Sequence, residues 1–203
     1  MGSTGAADGN GSLYFAYGSN LSSSQMRDRC PSSTPVGLAR LCGWTWLINK
    51  RGYANIVNVT DSPHSSAERP VLPPFNPLPL LPLSTTQKDA SQDSDEGGVY
   101  GVLYRLHPND EKMLDAYEGV PYAYERVFLD AVIVPPPGAK DQKQTETTLN
   151  VLVYIDKKNI HPGQPRAEYV YRMNRGIDEA TSEWGLPQAY VDTVMRPFIP
   201  AKK

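Results

Sequence analysis

The sequence is poor in the residues that build covalent or metal-centred chemistry. Two of its 203 residues are cysteine, Cys30 and Cys42, too few for a disulfide framework. One precedes Pro31 and the other sits in an apolar run, and both read as reduced structural thiols. The three histidines, His64, His107 and His161, each have a proline neighbour, which places them in turns or at a helix start. No CxxC, HxxxH or HExxH pattern occurs, so a zinc site or a Cys/His nucleophile pair has little support. No metal and no cofactor are expected.

An excess of one charge is also lacking. Lysine and arginine number 20 against 22 aspartates and glutamates, for a formal net charge of −2 and no long run of either sign. That excludes the basic footprint of a nucleic-acid-binding protein. No stretch approaches 18 consecutive apolar residues, so no transmembrane helix is expected. Residues 1–11 are small and polar, without the charged start and apolar middle of a signal peptide, and read as the disordered leader of a cytoplasmic protein.

Proline, in contrast, is abundant: 19 residues, nearly twice its usual share of about 5%. Seven of them fall between Pro63 and Pro82, followed by the polar, acidic stretch Ser84–Glu96. Such composition builds neither a helix nor an interior strand. It reads as an inserted loop at about 61–97 within a single catalytic domain spanning 12–200. The insertion is either solvated or, through Leu78, Leu80, Leu81 and Leu83, laid on an apolar groove.

Around it, regular elements are legible. Strands are expected at Leu13–Tyr17, Val36–Leu41, Trp44–Asn49 (after a kink at Gly43), Ala54–Val59, Val99–Leu106, Tyr124–Val134 and Thr148–Ile155. Ser22 followed by Gln25 matches a capping box and predicts a short helix over Ser23–Cys30, stopped by Pro31. A second helix starts after His107-Pro108 and ends at Gly119. A third runs from about Arg166 to Glu183, and a last short one spans Gln188–Met195. Few helices cross between strands, so the class is α+β, a mixed sheet or small barrel with flanking helices.

Two places stand out chemically. Tyr17-Gly18-Ser19-Asn20-Leu21 joins a strand to a helix N-terminus, where outward backbone N–H groups could cradle a carboxylate or phosphate, or form only a turn. The second is Glu118. It shares a helix face with Met113, Leu114 and Tyr117, so an acid ends an apolar stripe in the last turn. Burial and the negative end of the helix dipole would both raise its pKa toward the range of general acid–base work. If the side chain instead bends to solvent, it has no such role.

These motifs carry a resemblance. Leu13-Tyr14-Phe15-Ala16-Tyr17-Gly18-Ser19-Asn20-Leu21 resembles the signature strand and loop of the γ-glutamylcyclotransferase-like superfamily. Leu114-Asp115-Ala116-Tyr117-Glu118-Gly119-Val120 resembles the segment carrying that family's catalytic glutamate. Gly52-Tyr53-Ala54-Asn55-Ile56 resembles a pocket-lining segment, and Tyr124 and Arg126 fall where a Tyr-x-Arg pattern is common. Arg166-Ala167-Glu168-Tyr169 and the Gly185-Leu186-Pro187 break resemble the C-terminal part. The resemblance implies a small mixed β-barrel and release of 5-oxoproline from a γ-glutamyl amide. It implies Glu118 as acid–base residue, and Tyr17, Gly18, Ser19, Asn20, Leu21, Tyr124 and Tyr169 as substrate-binding residues. The partner would be a small γ-glutamyl substrate, with no nucleic acid or membrane, on a monomer or homodimer. Asn20 points toward the branch acting on γ-glutamyl amino acids or amines. Processing of a glutathione-derived conjugate in a natural-product pathway, and a non-catalytic binding role on the same fold, are the alternatives.

Overall fold

Strand β1 (Leu13–Ala16) starts the architecture, because its short apolar run is buried almost throughout. The structure is a computed structural model that describes residues 11–61, 97–136 and 147–202. The leader (1–10), most of the inserted loop (62–96) and residues 137–146 lie outside the described residues.

Five strands close a barrel in the order β1, β5, β2, β6, β7. Here β2 is Thr34–Cys42, β5 Gly98–Arg105, β6 Glu125–Val134 and β7 Thr148–Ile155. All neighbours are antiparallel except β1 and β7, which close the barrel in parallel at Tyr14 and Leu152. β2 pairs with both β5 and β6, with a bulge between Pro35 and Gly37. The barrel is therefore mixed, as the resemblance implied.

Strands β3 (Trp44–Ile48) and β4 (Ala54–Asn58) form a separate two-stranded sheet. β4 is buried at four consecutive positions, which explains its lack of alternation. Trp46 Nε1 donates to the Tyr17 carbonyl at 3.0 Å and ties this sheet to the end of β1.

The helices flank the barrel. Helix α1 (Ser23–Arg29) is capped by Ser22, whose hydroxyl accepts the Gln25 N–H at 3.0 Å. Helix α2 (Pro108–Glu118) has His107 as N-cap, proline in its first turn and a left-handed Gly119 (φ 65°) past its end. Helix α3 (Ala167–Trp184) buries Tyr169, Met173, Ile177 and Ala180 along one stripe. The short α4 (Gln188–Tyr190) runs into a π-helical turn, Val191–Met195. No helix among the described residues is long and apolar enough to cross a membrane.

Helix α2 differs from its sequence pattern. Leu114 is fully buried, but Met113 and Tyr117 are about half exposed. Helix α2 thus buries a narrower face than the four-residue stripe predicts, and Tyr117 packs its ring against the Arg29 guanidinium instead.

Candidate functional site

The helices and loops at one end of the barrel enclose a cavity of about 310 Å³. Tyr17, Gly18, Ser19, Asn20, Glu118, Tyr124 and Tyr169 all line it. Leu21 does not: its side chain is fully buried in the core and its N–H is spent on the Gly18 carbonyl at 2.9 Å. The chain thus brings seven of the eight residues singled out above to one place. The cavity lies at the small end of the range for small-molecule sites.

The loop is a 3₁₀ turn, Ser19–Leu21, and not an open helix N-terminus. The N-terminus of α1 is already occupied. Glu179 of α3 accepts from the Ser24 N–H (2.9 Å), the Ser22 hydroxyl (2.9 Å) and the Ser24 hydroxyl (2.6 Å). These bonds hold the Glu179 carboxyl below its ordinary pKa, although partial burial opposes them. The positive end of that helix therefore serves the fold, and only the preceding turn faces the cavity. At Gly18 a Cβ would lie 2.9 Å from the Tyr169 hydroxyl oxygen and 3.3 Å from the Ala54 Cβ. Any side chain here would force Tyr169 to shift, so glycine lets the loop and the phenol sit this close.

Glu118 ends α2 with its carboxylate turned into the cavity wall. Burial pushes its pKa above the ordinary carboxyl value. Arg29, the hydrogen bond from Asn20, Arg172 and Arg51 oppose that rise, in that order. Asp115, three residues earlier, fixes the helix: it accepts the Tyr154 hydroxyl at 2.7 Å and pairs with Arg126 at 3.0 Å. Arg126 also pairs with Glu111, so β6 and β7 together clamp α2. The Tyr-x-Arg pattern thus divides its labour, with Tyr124 in the cavity and Arg126 behind the helix.

The tyrosines are polarised by their partners. The Tyr169 hydroxyl accepts the N–H groups of Ser19 (3.3 Å) and Ala54 (3.2 Å), which leaves its own proton to donate elsewhere. Burial pushes its pKa up to about 12. Tyr124 donates to the Ala54 carbonyl at 2.9 Å, so toward the cavity its oxygen can only accept. Tyr17 donates to the Tyr154 carbonyl at 2.5 Å.

Three arginines of the wall escaped the sequence reading: Arg29, Arg51 and Arg172. Arg172 is spent on Glu168 of its own helix and lies over the Tyr169 ring. Arg51 pairs with the buried Asp156 at 3.0 Å and lies over the Tyr124 ring. Arg172 was findable, since it falls three residues after Tyr169 on one helix face. Arg29 and Arg51 are brought in by tertiary packing alone. Among the described residues, no group of three or more His, Cys, Asp or Glu side chains is arranged to hold a metal ion.

This architecture has solved counterparts. A protein named gamma-glutamyl cyclotransferase aligns with a TM-score of 0.59 at 20% identity, over 95% of this chain and 89% of that one. This chain has the γ-glutamylcyclotransferase-like fold. A human protein described as uncharacterized shares the fold at a TM-score of 0.59 and 20% identity, over 96% of this chain and 90% of that one. A yeast gamma-glutamyl cyclotransferase specific to glutathione shares it at 0.50 and 12%, over 83% and 89%. A sequence model of the AIG2-like family matches residues 98–194, the half of the γ-glutamylcyclotransferase-like fold that contains Glu118. No curated protein matches the sequence.

Proposed function

We propose that this protein releases 5-oxoproline from a small γ-glutamyl amide, with Glu118 as the general acid and base. The observation that carries this reading is the Glu118 carboxylate: it faces a small polar cavity and is biased by burial toward the protonated form. Its pKa is thereby drawn toward working pH, where proton transfer is most effective.

The chemistry needs no enzyme nucleophile. Glu118 takes a proton from the substrate α-ammonium, and the freed amine attacks the γ-carbonyl carbon of the same glutamyl unit. A new N–C bond closes the five-membered ring, and the original amide C–N bond breaks. Glu118 delivers its proton to the leaving nitrogen. The second proton of the ring nitrogen follows the same route, so the amine departs as an ammonium ion. Folding the substrate so that amine and carbonyl meet supplies several kcal/mol of the acceleration, of order 5 or more.

The remaining groups have matching roles. The main-chain N–H groups of Gly18 and Asn20 bind the α-carboxylate, since that of Ser19 is spent on Tyr169. Tyr169 retains a free O–H, which suits the oxygen that becomes negative in the transition state. Tyr124 presents an acceptor, which suits a substrate N–H.

The test is 5-oxoproline release from γ-glutamyl-alanine, a γ-glutamylamine, glutathione and a glutathione S-conjugate, run with wild type and Glu118→Gln. Release that depends on Glu118 is expected from at least one substrate. No release from any member by folded wild type, or equal release by the variant, would sink the proposal.

A further inference from the structure

Asn20 lines the cavity, yet its side chain has no capacity left for a substrate. Its Nδ2 donates to the Glu118 Oε1 at 3.1 Å and to the Tyr14 hydroxyl at 3.0 Å. Its Oδ1 accepts from Gln25 Nε2 at 2.8 Å and from Arg29 Nη1 at 3.1 Å. Two donors and two acceptor sites are the whole complement of an amide. The orientation is also forced, because Gln25 Nε2 and Arg29 offer only protons to the atom they meet, and that atom must be the oxygen.

One amide therefore bridges an acid and a cation. Arg29 pairs with no carboxylate among the described residues, although Glu118 is held on the far side of the same amide. We propose that Asn20 is a positioning residue that stands between Arg29 and Glu118 and keeps the guanidinium from closing onto the carboxylate. The inference rests on Glu118 being the acid–base group.

The reason is electrostatic. A guanidinium in contact with a carboxylate lowers its pKa by about 1–3 units. That would cancel the effect of burial and leave Glu118 permanently ionised, unable to protonate a leaving amine. With the amide interposed, Arg29 acts only at a distance. The Glu118 Oε1 is fixed as an acceptor, so when the acid is protonated its proton sits on Oε2, which has no partner among the described residues.

The other charges around Glu118 do not substitute for this arrangement. Arg172 from α3 is held by Glu168, and Arg51 from the β3–β4 turn is held by Asp156. The phenols of Tyr14 on β1, Tyr17 just after it, Tyr124 before β6, Tyr154 on β7 and Tyr169 on α3 are pushed up by burial, as is the thiol of Cys30 (to about 11), so all stay uncharged at neutral pH. Tyr117 lies against Arg29 from the solvent side.

The experiment follows the Glu118 carboxyl by ¹³C NMR titration of the full chain, assigned by difference from Glu118→Gln. This readout does not require turnover, so it stands apart from the test of the proposed reaction. In Asn20→Ser the side chain no longer separates the two groups, and the midpoint falls by more than about one pH unit. In Asn20→Asp a carboxylate takes the guanidinium and faces Glu118, and the midpoint rises. In the double variant Asn20→Ser/Arg29→Gln the fall disappears. Arg29→Gln alone, which leaves the amide network otherwise intact, moves the midpoint by less than about one pH unit. A larger rise in Arg29→Gln would mean that Arg29 already pairs with Glu118 and would overturn the inference, whether or not the Asn20 variants fold. So would an unchanged midpoint in Asn20→Ser, or a fall that persists in the double variant.

Discussion

Tyr124 and Tyr169 hold the two main-chain polar groups of one residue: Tyr124 donates to the Ala54 carbonyl at 2.9 Å, and Tyr169 accepts the Ala54 N–H at 3.2 Å. The two phenols look alike in the sequence but offer the cavity opposite polarity. Removing each hydroxyl should therefore have different effects. Tyr169→Phe strands two backbone N–H groups and removes a donor. It is expected to cost about 1–3 kcal/mol of stability and about 100-fold in kcat/KM. Tyr124→Phe strands one carbonyl and is expected to cost about 1 kcal/mol, with less than tenfold loss of kcat/KM. Urea unfolding and steady-state kinetics on the best panel substrate check both, and equal kinetic losses would contradict the assignment of polarity.

Glu118→Gln separates chemistry from stability. The amide keeps an oxygen for the Asn20 bond but cannot shuttle a proton, so kcat is expected to fall by about 10²–10⁴. Stability should move the other way. The folded-state pKa of Glu118 is raised, so its contribution is fully present below the ordinary carboxyl pKa and is lost as pH rises through the folded value. At pH 7 the variant is therefore at least as stable as wild type, and its relative advantage shrinks toward pH 4. Urea midpoints for both proteins at the two pH values measure this directly.

Glu179 has the opposite sign. Its bonds to Ser22 and Ser24 lower its pKa, so its stabilising effect is present above the ordinary carboxyl value and is lost as pH falls through the folded value. Glu179→Gln is expected to lower stability by about 1 kcal/mol at pH 7. The difference from wild type should vanish in acid. Thermal melts across pH 3–7 would show convergence; a constant gap would mean that the loss is steric.

Arg126 acts on the site from behind. Arg126→Gln releases Glu111 and Asp115 and loosens α2, which carries Glu118. Because the pair is partly exposed, the stability cost is expected to be at most about 1 kcal/mol. The kinetic signature is a lower kcat with little change in KM, since the cavity lining is retained. An effect on KM alone would place Arg126 in substrate binding.

The position of Glu118 was legible in the sequence, because local rules decide it: proline and Gly119 bracket α2, and Glu118 is the last residue before the left-handed glycine. The strands were also legible, since each is a short apolar run bounded by breakers. Their partners were not, and nothing in the alternation of β3 and β4 reveals that they stand outside the barrel. The capping box was half legible. Ser22 does cap the Gln25 N–H, but the Gln25 side chain turns to Ser19 and Asn20. The role of Asn20 was hidden because its decisive partner lies 98 residues away. Met113 and Tyr117 misled for a related reason: periodicity gives the faces of a helix but not how wide a face its neighbours will cover.

The bare main chain at Gly18 has a consequence for what the cavity accepts. Side chains adapt by changing rotamer, but a main chain bonded to the Tyr169 hydroxyl through the Ser19 N–H has no such freedom. That wall of the pocket is a rigid template suited to one invariant chemical unit. Any tolerance of different groups would reside where side chains line the cavity, as at the half-exposed Tyr117. On the proposed reaction, that makes the site strict toward the glutamyl unit that reacts.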